Sequence, residues 1–322
     1  MKIAPLIALA VVGLGCGSKE RAPPPSPTSS PVAVLAAGSE PRRVLRYHVA
    51  AGARAAITAE LDVAIDAGGQ GGDLPTMVLG LETIAEAALP GDRTRMRTTI
   101  SEVSSRERPG SLISAAALDA EAHHLRGIAF VGVLSPDGTF GEVTAELGGR
   151  KLPPALATQV DTLAKTFQQV AMPLPTTAVG AGAHWQYKQL IDQAGMKLTS
   201  TTDVTLSALD GDRLTFVMTS AITGDDQSIT QAGTTIRVTK LAGEGKGSGV
   251  IDLARMMMTG EQSMALHAEM AGDDQNAGMG LRVVTRLVEG TAPAAAAPPD
   301  AAGLGEGSGE AGSDDNATIE DH

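Results

Sequence analysis

The feature that most constrains this fold is a long succession of short segments in which apolar and polar residues alternate. In the first part of the chain the alternation runs through four stretches: 43–49, 53–65, 76–89 and 93–104. Turn signals separate the stretches: Ala51-Gly52, Gly68-Gly69 through Asp73, and Pro90-Gly91-Asp92. A period of two puts alternate side chains on opposite faces of a strand. This part of the chain therefore predicts an antiparallel meander with one buried face.

The same pattern continues to about residue 290. Residues 127–147 predict a hairpin that turns at Pro136-Asp137-Gly138, and residues 208–214 join two strands through an Asp-Gly turn. The other predicted strands read HWQYKQLI, MKLTSTTDVTLSAL, DRLTFVMTSAI, TTIRVTK, GSGVIDLAR, SMALHAEMA and MGLRVVTRLVE. We find no repeat of fixed short period, so a solenoid or propeller is not indicated.

One segment has a different period. In residues 152–170 large apolar side chains recur three or four residues apart, after the permitted helix start Pro153-Pro154. We expect Leu156, Leu163 and Phe167 to be buried, and the more polar positions Gln159, Asp161 and Lys165 to face water. The predicted class is α+β: a large twisted antiparallel sheet or half-barrel, with one main amphipathic helix, about 153–170, packed on one face.

The N-terminus has the pattern of an export signal. Met1-Lys2 gives a short positive start, and residues 3–14 are uncharged and mostly apolar. About a dozen residues are too few for a bilayer core of ~30 Å, which needs ~20 residues. Residues 1–16 therefore predict a cleaved signal peptide rather than a spanning helix.

The only cysteine, Cys16, stands at the end of this signal. The sequence GLGC, residues 13–16, resembles the lipobox of bacterial lipoproteins, and that resemblance implies that Cys16 is acylated and becomes the first residue of the mature chain. The alternative is an incidental cysteine in an ordinary signal peptide. In Gram-negative lipoproteins an Asp after the cysteine resembles an inner-membrane signal; Gly17 stands there instead, which favours the outer membrane.

Composition divides the rest of the chain. Residues 17–41 are rich in Pro, Ser and Ala and predict a disordered, partly extended linker. Residues 42–290 form the predicted β-rich domain. Residues 291–322 are rich in Ala and Gly and contain seven acidic residues but no Lys or Arg, so they predict a disordered acidic tail. That tail holds more than half of the net charge of −12.

Several function classes are disfavoured by composition and motif. The negative charge argues against nucleic acid, and aromatic residues, at 2%, are too few to line a carbohydrate cleft. No catalytic motif is present, so we predict no enzyme and no cofactor. His123-His124 with Glu121 is the one cluster with metal-ligand residue types, but neighbouring histidines point in different directions, so we predict a solvated turn and no metal site.

Two further stretches have bland interpretations. The glycine-rich residues 243–249 lack the spacing of a phosphate-binding loop and predict a flexible hairpin connection. Residues 255–264 contain four methionines, which form either an adaptable apolar surface or, as we favour, ordinary core.

The run PLPTTAVGAGAHWQY, which begins at Pro173, resembles an uncharacterised family of bacterial exported proteins and lipoproteins that share a PLPxxxVGxGAxW run. The resemblance implies an envelope protein of unassigned activity. Three functions remain open for the domain: a non-catalytic binding or structural module tethered to the membrane, a carrier of an amphiphile in an apolar half-barrel cavity, and an enzyme without a recognisable motif. The partners expected are the membrane, through the anchor, and an envelope protein or an apolar ligand.

Overall fold

The computed structural model describes residues 32–193, 196–231, 234–271 and 276–290. These residues contain fourteen strands, two short α-helices and one turn of 3-10 helix, His123–Leu125. The helices are α1, Ala115–Ala122, and α2, Pro154–Gln168. The strands, numbered β1 to β14 in chain order, are Ala33–Ala36, Arg54–Ala67, Gln70–Asp73, Thr76–Leu89, Arg93–Arg106, Ala129–Leu134, Thr144–Glu146, His184–Gln193, Met196–Asp210, Arg213–Thr223, Gln227–Gln231, Thr234–Asp252, Met257–Ala271 and Asn276–Glu289.

All strands belong to one antiparallel sheet with two free ends. The order across it is β1-β8-β9-β10-β12-β13-β14-β2-β4-β5-β6-β7, and the short strands β11 and β3 pair with β12 and β2. β14 pairs with β2 over eleven residue pairs, from Met279–Ala67 to Glu289–Ile57, so the last strand joins the two halves of the chain. The structure confirms the predicted β-rich antiparallel organisation, and the sheet is open.

The sheet curls so that one face lies inside. The largest core cluster joins Trp185 and Phe216, from β8 and β10, to Met96 and Leu134, from β5 and β6. These strands are far apart in the sheet order. Their same-face side chains meet only if the sheet bends towards that face, which we call the inner face.

Two smaller clusters complete the packing of the inner face. In the second, Val160 and Ala164 of α2 are buried with Ile100 and Phe130 of β5 and β6. The third joins the far ends of β9 to β13 and consists of Leu198, Ile222, Val238, Leu241, Leu266 and Ala268.

The helical period of residues 152–170 is realised as α2, which starts at Pro154 as the sequence indicates. Asp161 and Lys165 are exposed, whereas Leu163 and Phe167 are half-buried against the second cluster. The fully buried positions are Val160 and Ala164.

The predicted strand at 43–49 is wrong. Leu45, Tyr47 and Val49 are buried in the first cluster, but the segment has only an isolated bridge, Arg43 to Val179. Its backbone N–H groups bond instead to loops: Tyr47 to the Pro136 carbonyl at 2.9 Å and His48 to the Leu253 carbonyl at 3.2 Å. Alternation here reports an extended segment with one buried face, not a ladder partner.

The hairpin connection predicted at 243–249 is also wrong, because these residues lie in the middle of β12. Their glycines alternate with Glu244, Lys246 and Ser248, which are exposed on the outer face. A Cβ at Gly243 would lie 2.4 Å from the Leu266 side chain, and one at Gly247 would lie 2.9 Å from that of Met218. The glycines therefore let neighbouring side chains fold over the strand.

Three short strands and one α-helix lie outside the segments that the sequence predicts as strand or helix: β1, β3, β11 and α1. β1 lies within residues 17–41 and pairs with β8 through Ala33–Gln186 and Val34–Trp185, so the sheet begins before residue 42. α1, AAALDAEA, has one large apolar residue and hence no periodic stripe. Its start is marked by Ser114, whose side chain accepts a hydrogen bond from the Ala117 N–H.

Candidate functional site

The predicted lipidation site, Cys16, lies outside the described residues, as do most of the linker and all of the acidic tail. Among the helices that the structure describes, none combines the length and the hydropathy needed to cross a bilayer.

The PLPTTAVGAGAHWQY run packs against several parts of the chain that are distant in sequence, and we call it the junction segment. Leu174, Val179, Ala183 and Trp185 are buried in the first cluster. The run also holds three other parts of the chain by backbone hydrogen bonds: Leu174 N–H to Asp137 O at 2.8 Å, Gly180 N–H to Ala37 O at 2.9 Å, and Gly182 N–H to Leu206 O at 2.7 Å. Its most distinctive residues thus fix the fold around the start of the sheet.

The histidine pair ends α1. The rings of His123 and His124 have centroids 3.7 Å apart, and both residues are exposed. Within the described ranges no group of three or more His, Cys, Asp or Glu side chains is placed to hold a metal ion.

The methionines of residues 255–264 are core residues. Met257 is buried, Met256 and Met258 pack against the first cluster, and Met264 packs against the third. They do not form an exposed apolar surface.

The outer face of β2 and β14 carries ion pairs. Arg286 donates to Asp62 at 2.7 Å and to Glu261 at 3.0 Å, and Thr76 also donates to Asp62. Partial burial raises the pKa of the Asp62 carboxyl, but the hydrogen bonds from Thr76 and Arg286 outweigh it, so that the net pKa is lowered. The charged side chains of this face pair with one another, so we assign them a role in stabilising the sheet.

The inner face of the same two strands is different. It carries a set of half-buried apolar side chains that belong to none of the three core clusters. We call this set the central apolar row: Ile57, Leu61, Ile65, Val283 and Leu287. The residues lie on the face of Ala59 and Val63, which are buried, as the register pairs Ala59 with Leu287 and Val63 with Val283.

A hydroxyl cluster lies further along the same inner face. Tyr187, Thr202 and Ser220 stand opposite one another on β8, β9 and β10, and the Thr202 and Ser220 hydroxyl oxygens are 2.8 Å apart. The register continues from Ser220 through Gly245 and Met264 to Val283 of the row. Burial raises the pKa of Tyr187 to about 12 despite its hydrogen bond with Thr202. The hydroxyls are uncharged at neutral pH and lie beside apolar surface.

The larger concavities lie along the outer face of the central strands. One, of about 560 Å³, is open and lined by Val217, Val250 and Val288; another, of about 410 Å³, is lined by Lys246, Ser263 and Arg282. A much smaller space, of about 20 Å³, lies between Met218, Gln262 and Leu287.

Comparison with known proteins adds a family without an assigned activity. A family model described as a family of unknown function (DUF6263) matches residues 158–257, which is less than half of the chain. The matched part runs from within α2 through β8 to β12 and includes the junction segment. No curated protein matches this chain.

The central apolar row is the candidate site that sequence reasoning missed. The signal was present, because odd-numbered positions 57–65 of β2 and 281–287 of β14 are mostly large and apolar. Alternation identifies such a face, but whether another element covers it depends on the fold.

Proposed function

We propose that this chain is a lipid-anchored protein of the bacterial envelope and that its β domain is a non-catalytic binding module. The observation that carries the proposal is the central apolar row, since large apolar side chains left half-exposed between closed core clusters commonly mark a binding surface. α2, packed over part of the inner face, then acts as one wall of the site. Cys16 supplies the anchor, and the outer membrane is the proposed location.

Adjacent valines test the binding role. Val283 lies on the inner face and Val284 on the outer, since they pair with Val63 and Asp62 of β2, and both are half-buried. We expect Val283→Thr to lower the affinity for an apolar fluorescent probe at least threefold, because it puts a hydroxyl into the row, while Val284→Thr leaves the affinity unchanged. Equal effects of the two changes would place the probe elsewhere and overturn the proposal.

A carrier of an amphiphile is the second candidate. The hydroxyl cluster favours it, because Tyr187, Thr202 and Ser220 put polar groups in register with the apolar row, so that polar and apolar side chains follow one another along one face. A carrier purified from its own membrane should contain stoichiometric extractable lipid. A binding module for a protein partner should contain none and should be cross-linked to that partner in cells.

The anchor has its own test. Cys16→Ser, expressed in a Gram-negative host, should move the protein from the membrane fraction to the soluble fraction, because two or three acyl chains hold a protein on a bilayer and none would remain. If the variant stays with the membrane and is cut at the same place as the parent, Cys16 is not the anchor.

A further inference from the structure

Exposed large apolar side chains are concentrated at one end of the sheet. In the part of the chain that the structure describes there are seven of them. Leu112 lies elsewhere and Val217 and Val288 line the open groove on the outer face of the central strands, whereas the other four lie beside the free β1/β8 end. We call these four residues the tether edge: Leu35, Val44, Val170 and Leu190.

Leu35 and Leu190 define the two ends of this surface along the strands. Leu35 lies on β1, between Val34 and Ala36, which pair with Trp185 and His184 of β8. Leu190 lies farther along β8, beyond the part that β1 covers. The two leucines are 57% and 53% exposed, so neither is covered by its own domain.

The two valines flank the leucines. Val170 follows Gln169, whose side-chain amide donates a hydrogen bond to the Leu190 carbonyl at 3.1 Å, so the end of α2 lies against β8. Val44 follows Arg43, which forms a β-bridge with Val179. Gly180, the residue after Val179, donates a backbone hydrogen bond to the carbonyl of Ala37, just after β1. All four side chains are therefore attached to the segments that form this end of the sheet.

The position of the tether indicates that a lipid surface is what contacts the tether edge. Only residues 17–31 separate Cys16 from the first described residue, Val32, which directly precedes β1. A chain of fifteen residues at ~3.1 Å per residue spans at most about 45 Å. A strand of fourteen residues, such as β2, is about as long. The lipid surface is thus within one domain length of the edge at which the tether enters.

Because the domain is tethered, a contact of low intrinsic affinity is sufficient. A surface held within such a short reach has a high effective concentration, so a few apolar side chains suffice where a free protein would need a larger patch. Arg42 and Arg43 are exposed beside the same edge, but each pairs with an acidic neighbour, Glu40 and Asp212. Apolar contact, rather than net charge, is therefore the main attraction.

We propose that the tether edge contacts the phospholipid surface to which the chain is anchored, so that the free β1/β8 end of the sheet faces the bilayer. Leu35 and Leu190 enter the interfacial region of the lipid. The inference rests on the proposed anchor at Cys16, and its test separates the two.

The test uses the full lipidated chain in vesicles of phosphatidylethanolamine and phosphatidylglycerol that contain a lipid-borne nitroxide quencher. Because Cys16 is the only cysteine and is blocked by acylation, Leu35→Cys and Leu190→Cys can each be labelled with one environment-sensitive fluorophore. Val217→Cys and Val288→Cys are matched controls, since they are 46% and 52% exposed on the outer face of central strands.

We expect quenching at positions 35 and 190 to be at least threefold greater than at 217 and 288. Similar quenching at all four positions, or none at any, overturns the inference while the protein still floats with the vesicles. A change at 35 and 190 that follows protein concentration and persists in detergent without vesicles assigns the edge to a second copy of the chain and also overturns it. Protein that does not float with the vesicles contradicts the anchor itself, and the inference with it.

Discussion

The phenyl ring of Phe167 on α2 stacks on that of Phe130 on β6, with ring centroids 4.4 Å apart and planes inclined by 21°. Phe130 is buried at 2% exposure, whereas Phe167 is half-buried at the rim of the second cluster. The stack joins the helix to a strand near the β7 end of the sheet, and Gln169 joins the same segment to β8 near the other end. The position of α2 therefore depends on contacts with both ends of an open sheet.

The first prediction concerns this stack. Phe167→Ala should lower the free energy of unfolding by about 2 kcal/mol, less than the ~3–5 kcal/mol of a fully buried Phe, because the ring is only partly covered. Urea denaturation followed by far-UV circular dichroism measures the change. Gln168→Ala is the control, as this neighbour is exposed, and it should change stability by less than about 0.5 kcal/mol. A loss at Phe167 no larger than that of the control would show that α2 does not depend on the stack.

The second prediction concerns two glycines on one face of β12. A Cβ at Gly249 would lie 2.2 Å from the Thr259 carbonyl oxygen, whereas the nearest atom to a Cβ at Gly245 is the Ser220 Cβ at 3.4 Å. Gly249→Ala should therefore cost roughly 2–3 kcal/mol through overpacking against backbone. Gly245→Ala should be neutral or stabilising by up to about 1 kcal/mol, because alanine reduces the entropy lost on folding. Thermal unfolding of both variants tests this; equal melting temperatures would contradict the assigned register.

These glycines also show what the sequence could not predict. A run of Gly-x-Gly predicts flexibility if each residue is judged alone, yet here each glycine accommodates a neighbour from β10 or β13. Which side chain folds over a glycine depends on the register between strands distant in sequence. The long strands β2, β4, β5, β9 and β10 were predictable, because alternation and turn residues are local signals.

The candidate site was predictable only as a face. The sequence marks Leu61 and Val283 as members of apolar alternating sets, but it does not show that β2 and β14 are neighbours. That pairing closes a loop of more than two hundred residues, which no local pattern encodes. The hydroxyl cluster escaped notice for the same reason, since Tyr187 and Ser220 meet only through the pairing of β8, β9 and β10.

The third prediction is a pH dependence at Asp62. Its pKa is lowered in the folded protein, mainly by hydrogen bonds from Thr76 and Arg286 that outweigh partial burial. A group whose folded pKa is depressed stabilises the fold above its unfolded pKa, near 3.9, and loses that contribution as the pH falls through the folded pKa. Asp62→Asn should therefore cost roughly 1–2 kcal/mol at pH 7, and the difference from the parent should shrink below about pH 4.

Urea denaturation at pH 7, 5 and 3 measures this difference. Asp66→Asn is the control on the same strand and face, because Asp66 is exposed and accepts a hydrogen bond from the nearby Gly69 N–H. A difference between parent and Asp62→Asn that is the same at every pH would mean that the charge of Asp62 does not contribute to stability.

The fourth prediction tests whether the junction segment stabilises the fold. A Cβ at Gly180 would lie 2.0 Å from the Ser39 carbonyl oxygen and 2.9 Å from that of Pro41, and neither backbone atom can move aside without losing the hydrogen bond of Gly180 N–H to Ala37. Gly180→Ala should lower the free energy of unfolding by about 3 kcal/mol, at the upper end of ordinary overpacking costs.

Trp185 reports this change directly, because it is the only tryptophan, is 1% exposed and lies in the first cluster as part of the same run. In Gly180→Ala its fluorescence should shift towards that of a solvated indole at a lower urea concentration than in the parent. Thr177→Ala, exposed in the same run, should leave the transition unchanged. If instead Gly180→Ala unfolds at the same urea concentration as the parent but loses binding of the apolar probe, the junction segment acts in binding rather than in folding. Its interpretation as a structural element would then be wrong.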